Sequence, residues 1–274
     1  MTAIEFAPAR GGTLRRIVAV VLRYVYLLRR SWPRLFELFY WTTLQMVLWG
    51  MINRFMAGES GWFAQSAGVL IAAVMLWEVL FRGQLGLSIS FMEELWSRNL
   101  GHLMVSPLRP GEWVLSLVVI SFIRTVIALC PAALLAIPLY QFNVFEMGLP
   151  LVAYFFLLLA LGWSLGLAIC AMLLRFGLGA ESLAWMAVFI LAPVSAVYYP
   201  LSALPEWAQW IGWFLPSAHV FEGMRATLFE GVFRWDHFAW ALGLDIVFLA
   251  GGAWSYLAMF HVARRRGSLL QGGE

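Results

Sequence analysis

Residues 92–113, MEELWSRNLGHLMVSPLRPGEW, form the longest polar passage between apolar runs in this chain. The sequence on either side is too apolar for a water-soluble domain. A polar passage between two membrane-spanning runs has to face water at one surface. The spacing predicts a short amphipathic helix over 92–105, stopped by Ser106-Pro107. At about 100° per residue, Met92, Leu95, Trp96, Leu100, Leu103 and Met104 fall on one half. Glu94, Ser97, Arg98, Gly101 and His102 fall on the other. Glu94 precedes Arg98 by four, the favourable order for an ion pair along an exposed helix face. A patterned helix at the membrane surface is suited to dock a partner.

Composition agrees with the membrane reading. The 274 residues are 62% hydrophobic and 12% charged, against roughly 25% charged in soluble domains. Mean hydropathy is +0.82. Several runs of about 20 apolar residues can each cross a hydrocarbon core about 30 Å thick. Cys130 and Cys170 sit inside such runs and read as small buried hydrophobes. The N-terminus lacks the apolar core of a signal peptide, so no cleavage is expected.

Working outward, residues 1–13 read as a flexible terminus, with Pro8, Gly11 and Gly12 opposing helix. From Leu14 to Arg30 the pattern is a basic amphipathic helix. Arg15, Arg16, Arg23 and Arg30 share an arc opposite Leu14, Ile17, Val18, Val21, Tyr24, Val25 and Leu28. Such a helix is expected in the membrane interface, its Arg residues towards anionic headgroups. Six spans are expected: 35–56, 63–81, 113–140, 150–174, 182–199 and 238–261. Residues 267–274 read as a tail. Seven Arg precede the first span, and Arg82, Arg98, Arg109, Arg175 and Arg264–Arg266 join them on one side. Arg54, Arg225 and Arg234 fall on the other. The excess predicts that both termini and residues 92–113 are cytoplasmic. The connection 200–237 is too long for a turn. Its Trp-rich segment 204–215, bounded by Pro205 and Pro216, is too short to span. It reads as a re-entrant or interfacial outer element.

In order and spacing these pieces resemble the permease subunit of ABC transporters of the type-2 exporter family, which exports polysaccharides, lipid-linked glycans and drugs. That family has six spans, an amphipathic N-terminal helix, a cytoplasmic coupling helix between spans two and three, and a re-entrant hairpin before span six. The coupling motif is matched by Glu93, Glu94, Leu100, Leu103 and Ser106-Pro107. Arg98-Asn99 stands where the family often has Gly-Thr. Leu174-Arg175-Phe176-Gly177 and Ala180-Glu181 follow the fourth span, and Tyr198-Tyr199-Pro200 and Leu204-Pro205 the fifth. The outer connection closes with 215–225, LPSAHVFEGMR. The likeness covers about residues 14–266.

The resemblance implies a type-2 transmembrane domain that moves substrate out of the cytoplasm by alternating access in a bacterial inner membrane. The chain has no phosphate-binding Gly-x-x-x-x-Gly-Lys-Ser/Thr, since it has no Lys. The implied motor is a separate ABC ATPase, present in two copies, which binds ATP and Mg. A second copy of this permease, or a paralogue, completes the assembly in the bilayer. No nucleic-acid partner, catalytic residue, cofactor or metal is expected in this chain. Coupling to the ATPase falls to Glu93, Glu94, Trp96, Arg98, Asn99, Leu100, Leu103, Ser106 and Pro107.

Arg124 lies near the middle of the third span, where an Arg costs at least about 2.5 kcal/mol on insertion scales. It is expected to meet Glu78 or Asp245, or carbonyls freed near Pro131; the alternative is a site for an anionic substrate group. Glu78, Tyr198, Tyr199, Trp210, His219, Glu222 and Arg225 are the other pathway or gate candidates. Trp207, Trp210 and Trp213 suit either an aromatic belt or a stacking track for a glycan. No two His stand at helical ligand spacing. An ion-driven secondary transporter and a membrane enzyme acting on lipids remain alternatives. Few intramembrane carboxylates disfavour the first. The lack of a visible cluster of nucleophile, base or metal ligands disfavours the second.

Overall fold

A computed structural model describes residues 12–59 and 67–266. The expected tail and most of the flexible terminus lie outside the described residues, as does the start of the expected second span. The regular structure among the described residues is all helical, with no strand. In order they form α1 (Thr13–Arg30), α2 (Trp32–Glu59), α3 (Ala67–Trp96), α4 (Leu100–Val105), α5 (Pro110–Tyr140), α6 (Leu149–Phe176), α7 (Glu181–Leu191), α8 (Glu206–Trp213), α9 (Pro216–Glu230) and α10 (Trp235–Arg266). Among the described residues four helical runs are long and apolar enough to cross a membrane: Gly68–Trp96, Pro110–Tyr140, Leu149–Val194 and Trp235–Arg266. The chain is therefore a multi-pass, all-α membrane protein.

α6 is the hub, packed between α3 and α10. Without a hydrophobic drive inside lipid, small residues that let backbones approach hold such helices together. A Cβ at Gly162 of α6 would stand 2.7 Å from the Leu80 carbonyl of α3, and one at Gly252 of α10 would stand 2.5 Å from the Ser164 carbonyl of α6. Gly at both positions sets the spacing of the three helices. Ser121 of α5 adds a bond across, its Oγ donating to the Gly83 carbonyl at 2.7 Å.

The structure moves three expected boundaries. The second apolar helix does not stop at Phe81; α3 runs on to Trp96. Arg82, Gln84, Ser88 and Ser90 look like a polar exit from the membrane but are buried and bonded. Arg82 Nε donates to Glu78 at 3.2 Å and to Thr42 at 3.1 Å, Gln84 to Ser88 at 3.1 Å, and Ser90 to the Gly86 carbonyl at 2.8 Å. The expected helix over 92–105 is not one helix. Residues 92–96 finish α3, and only Leu100–Val105 form α4. The expected fifth span is a helix of 11 residues, roughly 16 Å long and about half a hydrocarbon core. It continues as a 3-10 turn, Ala192–Val194, and a bend with Ala196 at φ 54°. The Trp-rich helix α8 does sit between Pro205 and Pro216.

Candidate functional site

The break inside residues 92–113 has a local cause. Arg98 N–H donates to the Leu95 carbonyl at 3.0 Å and Asn99 N–H to the Glu94 carbonyl at 2.9 Å. Those two bonds make a Schellman motif, with Arg98 in the left-handed position at φ 53°. Glu94 does not pair with Arg98 on an exposed face. It is 1% exposed. It accepts from Tyr24 Oη at 2.6 Å, Arg23 Nη2 at 3.0 Å and Asn99 Nδ2 at 2.6 Å. Burial, with the Glu94 charge alongside, pushes the Tyr24 phenol well above its ordinary pKa.

α1 is thus tied to the protein by the face expected to meet lipid headgroups. Arg23 holds Glu94, and Arg16 Nε donates to Glu112 at the start of α5 at 2.9 Å. Ile17, Tyr24 and Leu28 are buried, while Leu14, Val18 and Leu22 are exposed. The clamp leaves Trp96, Ser97, Arg98, His102, Val105, Ser106 and Pro107 exposed, with Asn99 and Leu103 half-buried and Leu100 buried beneath them. Trp96 Nε1 reaches Glu181 at the start of α7 at 3.3 Å.

Beside this segment a groove of about 490 Å³ runs between α2, α3, α5 and α7. On α2 it is lined by the stripe Arg34, Leu38, Trp41, Gln45 and Trp49, with Glu37 beside it. That stripe, at spacings of three and four, is roughly 22 Å long. The end nearest the 92–113 segment is ionic. Glu93 accepts from Arg34 at 3.1 Å and meets Arg124 at 3.3 Å. Glu78 pairs with Arg82 at 3.2 Å. Arg124 therefore meets neither Glu78 nor Asp245 but Glu93, on the helix expected to face an outside partner. Asp245 is buried, and among the described residues neither of its carboxylate oxygens has a hydrogen-bond partner. The middle of the groove is aromatic, with Trp77, Phe81, Trp185 and Phe189. At the far end Trp49 stacks on Tyr198, centroids 4.7 Å apart and planes 18° from parallel.

The bend that carries Tyr198 is pinned to α9. Arg225 donates to the carbonyls of Ala196 and Tyr199. Glu222 accepts from Leu201 N–H at 2.6 Å, and Ser217 donates to Ser195 at 3.0 Å. Tyr199 itself points away, bonding the Pro193 carbonyl. His219 lies 3.0 Å from the Trp213 carbonyl and 3.2 Å from His237, joining α8, α9 and α10. Trp210 is 70% exposed and outside the groove.

Of the sequence candidates, the structure brings Glu78, Glu93, Trp96, Arg124 and Tyr198 into one groove. It sets Glu222, Arg225 and His219 behind the groove's far end. Sequence reasoning missed Arg34, Thr42, Arg82 and Trp49. The four-residue step from Glu78 to Arg82 inside an apolar run was a usable signal; the meeting of Trp49 with Tyr198 left none. Among the described residues no three His, Cys, Asp or Glu side chains converge to hold a metal.

A family model described as ABC-2 type transporter matches residues 21–229. No curated protein matches the chain.

Proposed function

Because the chain belongs to the ABC-2 type transporter family, whose permease domains work with an ATPase partner, we propose that this permease is the membrane half of a bacterial exporter. Two copies of it, or one with a paralogue, would sit in the inner membrane with both termini in the cytoplasm. α2, α3, α5, α6, α10 and the α7 segment with its 3-10 continuation would make the six crossings. α8 and α9 would form the outer hairpin. Two ABC ATPase chains, holding ATP and Mg, would dock on the surface made by Trp96, Arg98, His102, Val105 and Pro107.

One observation carries this reading. Consecutive residues Glu93 and Glu94 serve the groove and the docking segment, respectively. A push on the segment therefore reaches the groove wall through one helix end, without a flexible link. The ionic end is then the cytoplasmic mouth, and the Trp49–Tyr198 stack is the outer plug. Intramembrane charges at Glu78, Arg82 and Arg124 need protein or water beside them, which a second permease copy facing the groove supplies.

The test is co-purification with an ABC ATPase encoded beside this chain. Trp96→Ala with Arg98→Ala is expected to weaken association at least about tenfold, equivalent to about 1.4 kcal/mol, while membrane insertion stays normal. Undiminished co-purification would overturn the docking assignment. Glu94 is a poor probe, because removing a buried carboxylate that holds three donors also damages the fold.

A further inference from the structure

Arg124 has a donor that no group among the described residues uses. Its Nε is buried with no hydrogen-bond partner, and the residue is only 6% exposed. Its Nη2 reaches both Glu93 oxygens at 3.3 Å, longer than a charge-assisted bond prefers. A guanidinium binds an oxyanion best through two parallel N–H groups on one edge. Glu93 engages only Nη2 of the Nε–Nη2 edge, so the edge is half-used and its Nε donor is left over. Glu93 also has a second cation, Arg34 at 3.1 Å. It can leave Arg124 without being stranded as a buried charge. Arg124 lines the groove, and Trp41, Trp77 and Phe189 line its apolar stretch.

We propose that the groove binds an amphiphile with an oxyanion head, seated on the Nε–Nη2 edge of Arg124 in place of Glu93, with its apolar part against Trp41, Trp77 and Phe189. This rests on the groove being the permease pathway and names the chemistry of what enters it. A phosphate, sulfate or carboxylate head supplies the paired acceptors the edge lacks. The displaced Glu93 moves onto Arg34, at the end of α3 next to the residue that α1 and Asn99 clamp. Occupancy is thereby felt at the docking segment.

The experiment uses the full chain in phosphatidylcholine nanodiscs and tritiated dodecyl phosphate, read by scintillation proximity. Saturable binding is expected, at least tenfold weaker in Arg124→Gln, with partial recovery in Arg124→Lys. Glu93→Gln removes the competitor and is expected to tighten binding severalfold, a gain that misfolding cannot imitate. Wild-type binding by Arg124→Gln, or no gain in Glu93→Gln, would overturn the proposal. So would equal competition by inorganic phosphate or by dodecyltrimethylammonium. Doping the nanodiscs with phosphatidic acid identifies the source: competition assigns the head to a bilayer lipid, and its absence to a soluble amphiphile, both upholding the Arg124 seat. The assay needs no ATPase, so its failure leaves co-purification intact, and loss of co-purification leaves the binding result standing.

Discussion

At Arg98 the chain takes φ 53°, a conformation that costs a side-chain-bearing residue roughly 1–2 kcal/mol. The bonds that close α3 require it there, and glycine would adopt it freely. The Gly-Thr pair common in the family at this point thus has a physical reading: this chain accepts backbone strain and gains an exposed guanidinium. Arg98→Gly is expected to raise stability by about 0.5–1 kcal/mol, the relief of strain less the entropy of a freer unfolded chain. A thermal midpoint of the purified protein that stays level or falls would refute the strain. Glu94 shows why single-residue reading stopped short. On a helical wheel it looks solvated, but Tyr24, 70 residues away, buries and bonds it. Amphipathic spacing separates polar from apolar faces; it does not say whether a polar face meets water or a partner from a distant part of the chain.

Among elements, the apolar helices were legible because lipid demands long apolar runs with every backbone group bonded within the segment. α5, α6 and α10 fall close to their expected limits. α3 did not, because residues 82–90 satisfy their polar groups inside the bundle rather than in water. α7 did not, because apolar composition alone does not register the bend at Ala196. Helix spacing offers a sharper check. Gly252→Ala sets a Cβ 2.5 Å from the Ser164 carbonyl, so α6 and α10 must part, at an overpacking cost of about 1–3 kcal/mol. Gly243 lies on the same helix with nothing within 4 Å of a Cβ; Gly243→Ala is expected to be neutral or to gain up to about 1 kcal/mol of helix propensity. Thermal unfolding of the two variants side by side separates crossing geometry from propensity. Equal midpoints would mean that the α6–α10 contact tolerates the extra carbon.

Across the whole molecule, the groove joins two devices built from different parts of the chain. At one end α1 and Asn99 grip Glu94 beside Glu93. At the other, Glu222 and Arg225 of α9 hold the bend that presses Tyr198 onto Trp49. If the chain works by the proposed alternating access, the second device yields when the first is driven. Loosening it by mutation should therefore open the far end without any ATPase. Val197→Cys, buried beside Tyr198 on the bend, supplies a reporter that keeps the stack, in a background where the exposed Cys130 is replaced by Ala and the buried Cys170 is kept. With the bend pinned, a membrane-impermeant maleimide added outside is expected to label the reporter slowly. Adding Arg225→Gln removes the donor to the Ala196 and Tyr199 carbonyls. Loss of a charged donor to buried carbonyls costs roughly 1.5–3 kcal/mol, which corresponds to labelling faster by at least about tenfold. The same reagent inside inverted vesicles should label the reporter faster only in the double variant. Fast labelling from outside in both proteins would mean that the bend carrying Tyr198 is not part of a closed outer plug. Slow labelling in both would mean that Arg225 does not hold it shut.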